Sequence, residues 1–353
     1  MKCMRQKNVQ RRDFNFEHLA KYFSLTIFLL LAIVQLQAQQ FNIEEAPAPL
    51  FRDPIFDGAA DPSVIWNKQT DEWWIFYTQR RASVPSQGVS WAYGTQIGIA
   101  ASADYGKTWY YKGTSEGMDF EQGQLTFWAP EVIETDEGYH MYVTFIRGIY
   151  HAWGGERHIV HFTSDDLLNW KFESQLNLAS DRVIDPGVMK MDDGIWRLWY
   201  KDEAAGSITR AAESIDLFNW IMIDESSASD RSHEAPNVIY WKEYYWLLTD
   251  TGQGIGIYRS EHSEDWVHQG KFMVDPGLRF DDAWFGQHPD VIILEDRAFM
   301  VYFVHPGRRL FDKPRFLQGY QYTQPFEWKR TSLQVAELEV VDGKLQCDRN
   351  KYY

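Results

Sequence analysis

The chain has 353 residues, of which 44% are hydrophobic and 16% aromatic, with 16 Trp and 19 Tyr, and its formal net charge is −15. The acidic balance argues against a nucleic-acid partner, which would require a basic face, while the apolar share allows a sizeable core. Only Cys3 and Cys347 are present, so no disulfide staples the fold and a thiol nucleophile is not expected.

In chain order, a basic stretch from Lys2 to Lys21 precedes an apolar run from Leu25 to Val34, and Leu36-Gln37-Ala38 offers a small residue for cleavage. This pattern predicts a secretory signal peptide over residues 1–39. The apolar run is short for a transmembrane helix, and no Cys follows the cut, so no membrane anchor is expected. The mature chain, residues 40–353, is expected to be secreted or periplasmic and to act as a monomer.

Three signals then recur five times in the same order. The first is an acidic or polar residue beside Pro: Asp61-Pro62, Pro130-Glu131, Asp185-Pro186, Glu234-Ala235-Pro236 and His288-Pro289-Asp290. The second is an aromatic-rich strand, at Trp73–Thr78, Tyr139–Ile146, Ile195–Lys201, Tyr244–Thr249 and Ala298–Val304. The third is a polar turn ending in Trp, at Ser102–Trp109, Ser164–Trp170, Ser214–Trp220 and Ser260–Trp266, with a degenerate copy at Thr323–Trp328. Successive Trp residues are roughly 45 to 60 positions apart, the period of propeller blades. No long amphipathic helix interrupts the units.

The predicted fold is therefore all-β: one five-bladed β-propeller with four-stranded antiparallel blades around a central channel. Asp or Asn in each turn can bond its own backbone, and the Trp can fill the wedge between blades. Residues 331–353 carry no repeat signal; they either add a closing strand or trail.

In a propeller the first strand of each blade lines the channel, so its opening residues converge. The openers are Asp61, Glu131, Asp185, Glu234 and His288, four acids and one His. Singly, each can be a strand start at which proline's missing N–H costs little. At repeat spacing, together, they predict a carboxylate pocket.

The succession Ala60-Asp61-Pro62-Ser63-Val64, Trp128-Ala129-Pro130-Glu131-Val132, Ile184-Asp185-Pro186-Gly187-Val188, His233-Glu234-Ala235-Pro236 and Gly286-Gln287-His288-Pro289 resembles glycoside hydrolase family 43 and related five-bladed enzymes, over roughly residues 51–304. The resemblance implies an inverting glycosidase of the β-xylosidase or α-L-arabinofuranosidase type. It implies Asp61 as the base that activates water, Asp185 as the residue that tunes the acid, and Glu234 as the acid. It implies His288 as an axial His that reaches Ca2+ or its waters in the channel, and Trp128 as the aromatic beside the sugar. Three carboxyls in one pocket repel one another, so one pKa is expected to rise, which supplies the proton an acid must donate. Glu131 fits no role in that trio; it could bind a substrate hydroxyl or the metal, or be a salt-bridged strand opener.

Cations follow the second strands: Arg80, Arg147, Lys201 and Arg308. They either pair with the carboxylates or recognise an anionic sugar, for which the planar fork of Arg is suited. An Arg on a uronate carboxylate, with His151, Tyr150, His233 or His305 as base, would permit β-elimination. The alternatives to a hydrolase are thus a lyase or dehydratase acting on uronate-containing oligosaccharides such as those of ulvan, and a non-catalytic sugar-binding propeller. Each takes an oligosaccharide or polysaccharide, neutral or anionic, as partner.

Overall fold

The computed structural model describes residues 40–228, 231–311 and 323–353; the expected signal peptide lies outside the described residues. No helix among them is long and apolar enough to cross a membrane. Five four-stranded antiparallel sheets make up the fold. Blade 1 is β1 (Ala59–Asn67), β2 (Glu72–Gln79), β3 (Gln96–Ser102) and β4 (Tyr110–Thr114). Blade 2 is β5 (Leu125–Thr135), β6 (Gly138–Arg147), β7 (His158–Ser164) and β8 (Lys171–Gln175). Blade 3 is β9 (Val183–Lys190), β10 (Trp196–Asp202), β11 (Ile208–Ser214) and β12 (Ile221–Ala228). Blade 4 is β13 (Glu234–Trp241), β14 (Tyr244–Asp250), β15 (Ile255–Ser260) and β16 (Val267–Phe272). Blade 5 is β17 (Gln287–Leu294), β18 (Arg297–Val304), β19 (Ser332–Val341) and β20 (Lys344–Cys347).

Each blade runs outward in chain order, and the five first strands touch cyclically, β1 to β5, β9, β13, β17 and back to β1. The aromatic signal in every unit is the second strand. It is buried because both its faces pack, one against each neighbouring blade. Apolar clusters accordingly span blades rather than lie within them: one joins blades 1 and 2 through Phe76, Phe127, Phe145 and Trp170, and another joins blades 4 and 5 through Trp246, Leu248, Met300 and Tyr302.

The polar turns connect third and fourth strands. In blade 2, Ser164 Oγ accepts from the Leu167 amide at 3.0 Å, Asp166 Oδ1 accepts from the Asn169 amide at 2.8 Å, and Trp170 Nε1 donates to the Leu167 carbonyl at 3.1 Å. Blade 3 repeats the set with Ser214, Asp216 and Trp220. The ring of Trp170 meets Phe76 of blade 1, and that of Trp220 meets Tyr142 of blade 2, so each wedges against the preceding blade.

Blade 5 departs from the sequence expectation. Residues 331–353 do not trail: they supply its outer two strands. The Trp of Thr323–Trp328 sits in a helical turn, Phe326–Lys329, between β18 and β19, not between third and fourth strands. The β19–β20 connection is instead a two-residue hairpin at Asp342-Gly343, both at positive φ (51° and 68°), with Val341 opposite Lys344. Such a turn matches the twist of its strands and needs no Trp, so residues 331–353 left no repeat signal.

The ring is clasped by the chain ahead of β1. Leu50 donates to the Leu333 carbonyl at 2.8 Å, and Phe41 packs on Trp73 of blade 1 and Phe299 of blade 5.

Blades 3 and 4 approach closely at Gly187, where a Cβ would stand 2.3 Å from the Pro236 carbonyl oxygen. Gly187→Ala is expected to lower stability by about 1–3 kcal/mol through overpacking, read as a lower thermal midpoint. An unchanged midpoint would show that the blades part there at no cost.

Candidate active site

The five motifs are five copies of one backbone device. In every first strand, three residues span two of the second strand: Ala60 to Ser63, Trp128 to Glu131, Ile184 to Gly187, Glu234 to Asn237 and Gln287 to Asp290. Each is a one-residue bulge containing the proline. The residue before proline is left-handed in all five: Asp61 (φ 52°), Ala129 (49°), Asp185 (57°), Ala235 (54°) and His288 (44°). That conformation is costly for a residue with a side chain, and Asp and His accept it more readily than most. Proline fits because a bulge has no ladder donor to lose.

Neighbouring blades pin the strained residues. Thr78 Oγ1 accepts from the Ala129 amide at 2.8 Å, and Thr144 Oγ1 accepts from the Asp185 amide at 3.0 Å. Asp185 Oδ2 accepts from the Ala235 amide at 3.1 Å, so one oxygen of this carboxyl holds the backbone next to Glu234.

The openers named from sequence thus occupy three different positions. Asp61, Asp185 and His288 are the left-handed residues. Glu234 precedes one, in the same position as Trp128. Glu131 follows the proline, one step farther down the channel.

Asp61, Asp185, Glu234 and His288 share one pocket. Asp61 is buried and receives Arg80 Nη2 at 2.9 and 3.0 Å on its two oxygens. His288 Nδ1 lies 3.4 Å from Asp61 Oδ1. The Arg80 guanidinium rests over the Phe303 ring, 4.8 Å from its centroid. Glu234 is the accessible acid, its side chain 41% exposed against 6% for Asp61, and Lys201 Nζ bonds its Oε2 at 2.8 Å.

Burial and the nearby Glu234 push Asp185 well above the usual carboxylate range. Enclosure by protein would raise Glu234 too, but the Lys201 ammonium outweighs it and holds the carboxyl below its ordinary value. One carboxyl is raised, as expected from mutual repulsion, but it is not the expected acid. The ion pair decides where the proton rests.

A fourth pocket carboxyl was not anticipated. Asp250 ends β14 directly opposite Glu234, and burial, then Glu234, pushes it up to about 8. Gly252 N–H donates to its Oδ1 at 2.6 Å and Gln287 Nε2 to its Oδ2 at 3.3 Å. The register gives the missed signal: Thr78, Thr144, Lys201, Asp250 and Phe303 occupy one column, each opposite the residue before its bulge.

Three expected residues stand elsewhere or act differently. Arg147 is exposed and forms a two-pronged pair with Glu121, at 2.8 and 3.0 Å, away from the carboxylates. Trp128 is buried, its Nε1 donating to the Ala92 carbonyl at 2.6 Å, and it packs on Tyr93 and Trp153. Glu131 faces the lower channel, where it lines a cavity of 340 Å³ with Ser63, Asn237 and Asp290. Its Oε1 accepts from the Val188 amide at 2.9 Å, and burial with Asp290 beside it raises its pKa well above normal. It is a channel-lining hydrogen-bond acceptor, neither a salt-bridged opener nor a pocket carboxylate.

Calcium prefers six to eight oxygen ligands. In the lower channel Glu131 Oε1 is engaged by the Val188 amide, and the two Asp290 oxygens by the Val64 amide and the Asn237 amide group. Among the described residues no group of three or more His, Cys, Asp or Glu is arranged to hold a metal ion. No step below runs through one.

No protein-family profile and no curated protein matches the chain. Solved structures do. A family 43 glycoside hydrolase from Xanthomonas citri, complexed with xylose, aligns with a TM-score of 0.58 at 18% identity, over 90% of this chain and 96% of its own. A family 43 β-xylosidase/α-arabinofuranosidase from a compost microbial metagenome, in complex with xylotriose, aligns at 0.58 and 16%, over 84% and 96%. A family 32 β-fructofuranosidase from Bombyx mori aligns at 0.60 and 13%, over 92% and 69%. The fold is the one these hydrolases share.

Asp250 also predicts a pH signature. Its folded pKa of about 8 exceeds the ordinary 3.8. Its contribution to stability is therefore complete below about pH 4 and lost as pH rises through about 8. Asp250→Asn is expected to remove one proton's worth of the fall in unfolding free energy over that window, measured by denaturant titration at several pH values.

Proposed function

We propose that the protein is an exported glycosidase that cleaves an oligosaccharide by a single inverting displacement. The supporting observation is the meeting of Asp61, Asp185 and Glu234, from three blades, close enough that Glu234 and Asp61 raise Asp185 and Asp61 acts on Glu234. Asp61, steadied by Arg80, takes a proton from the water that attacks the anomeric carbon. Glu234, the accessible carboxyl, gives a proton to the departing oxygen. Asp185 holds the Ala235 amide and so fixes the backbone that carries Glu234. Solvent then takes the proton from Asp61 and returns one to Glu234. A pocket acid and base of this kind each contribute about 10²–10⁴-fold.

Elimination finds less support. Of its candidate bases, His233 is buried against Thr209 Oγ1 at 2.6 Å, and His305 bonds the Arg330 carbonyl at 3.1 Å. The relatives in fold hold xylose and xylotriose, so xylo- and arabino-oligosaccharides are the first substrates to try, beside uronate-containing ones.

New reducing ends are expected without absorbance from an unsaturated uronate. Glu234→Gln and Asp61→Asn are each expected to lower kcat by about 10²-fold or more. Absorbance without chain shortening would overturn hydrolysis and favour elimination; full activity in both variants would remove the assigned roles.

A further inference from the structure

One contact conflicts with an acid at Glu234: its partner is an ammonium. We propose that Lys201 gates this acid, holding Glu234 as an anion until an oxyanion on the bound sugar, a carboxylate or a sulfate, draws the ammonium away and lets Glu234 take up a proton. The proposal rests on the hydrolytic reading above, deepens it, and makes an anionic sugar the preferred substrate.

Lys201 is the penultimate residue of β10 and is only 7% exposed. Its Nζ stands between two carboxylates, 2.8 Å from Glu234 Oε2 and 3.6 Å from Glu203 Oε1. Glu203 has little need of it. Arg157 bonds Glu203 directly, and Arg182 lies within 3.5 Å. Arg157 is itself 2% exposed, carries its guanidinium 5.9 Å from the Trp128 ring centroid, and has a buried Nε–H with no partner among the described residues. Arg157, Arg182 and Lys201 thus gather around one carboxylate, Glu203, beside the acid at Glu234.

The opposite side adds positive charge. Arg80 sits on Asp61, and burial, then Arg80, pushes Arg308 down to about 9. The groups facing Glu234 from neighbouring strands are Lys201, Asp185, Asp250, His288 and Asp61. Burial raises the pKa of Asp185 and Asp250, the latter to about 8, and lowers that of His288. Among the described residues, the cations Lys201, Arg157, Arg182 and Arg80 form ion pairs with only three carboxylates, Glu234, Glu203 and Asp61.

A neutral sugar does not draw Lys201 away, so it is cleaved only by the minor fraction of enzyme in which Glu234 already carries a proton. A hydroxyl is a poor substitute for a carboxylate as partner of a buried ammonium, and an unpaired buried charge costs several kcal/mol. A sugar oxyanion can replace Glu234 as that partner. Once relieved of Lys201, Glu234 lies in an enclosed site beside other acids, conditions that raise a carboxyl pKa. It takes one proton from solvent and later gives it to the leaving oxygen, so protons balance over the cycle.

Calorimetry on the wild-type protein tests this without turnover. Glucuronate, a monosaccharide sulfate and xylose are titrated at pH 6 in two buffers of different ionisation heat. The expected result is uptake of about one proton on binding glucuronate or the sulfate, and none with xylose. Response to only one oxyanion identifies the source of the charge and supports the gate. Lys201→Met is expected to weaken glucuronate binding about tenfold or more and to abolish the proton uptake.

The pH–rate profile gives an independent reading. With an anionic oligosaccharide, the basic limb of kcat is expected to lie about one pH unit or more above that of kcat/KM, since the first reports the bound state and the second the free enzyme. With xylotriose the two limbs are expected to coincide, and Lys201→Met to move both upward. Failure of glucuronate and the sulfate to bind, equal proton uptake with xylose, or uptake that survives Lys201→Met would overturn the gate. Persistence of hydrolysis in Glu234→Gln would instead overturn the assignment of the acid.

Discussion

The backbone before each proline is the constraint on which the rest depends. Five residues, one per blade, are held left-handed at the point where their strands face the axis. Nothing local favours that conformation for Ala129 or Ala235. It persists because the bulge is locked between its own second strand and the preceding blade, through Thr78 and Thr144 and, at blade 4, through the Asp185 carboxyl. A symmetrical strain thus becomes an asymmetrical site. Where the left-handed residue is Asp or His its own side chain is polar, and before Ala235 the polar side chain is that of Glu234.

Electrostatics then sorts chemically similar groups. Asp61, Asp185, Glu234 and Asp250 are all carboxyls in one pocket, and burial acts on them in the same direction. Contact with cations differs: Arg80 grips Asp61, Lys201 grips Glu234, and Asp185 and Asp250 have no direct cation partner among the described contacts. At contact distance in a poorly solvated site, one ion pair outweighs desolvation. The carboxyls raised above their ordinary range are therefore Asp185 and Asp250, while Glu234 is held below it.

The architecture was legible because its signals are local and repeated. Pre-proline acids, aromatic second strands and Ser-Asp-Trp turns each follow from short-range chemistry. Blade 5 was half hidden because an Asp-Gly hairpin does the work of the Trp turn with two residues. In the site, Asp61, Asp185 and Glu234 were readable as outliers beside proline. Asp250 was not, because its importance arises from cross-strand register with Glu234, sixteen positions earlier in the chain. Arg147 shows the converse error: proximity in sequence to the pocket rim does not determine which carboxylate a long side chain finds, and Glu121 was nearer.

The clasp has a consequence for how the molecule is made. The contacts that join the ends of the ring involve Phe41 and Leu50 on one side and Phe299 and Leu333 on the other. They span nearly the whole of residues 41–353, so the cost of bringing them together falls on the last event of folding. During synthesis, blades 1 to 4 emerge in order as an open arc while Phe41 waits for its partner. The pocket needs His288 from blade 5 beside Asp61 from blade 1. A nascent chain therefore has all its named acids long before they have a common pocket, and the final strands act as the stitch that turns an arc into a closed ring.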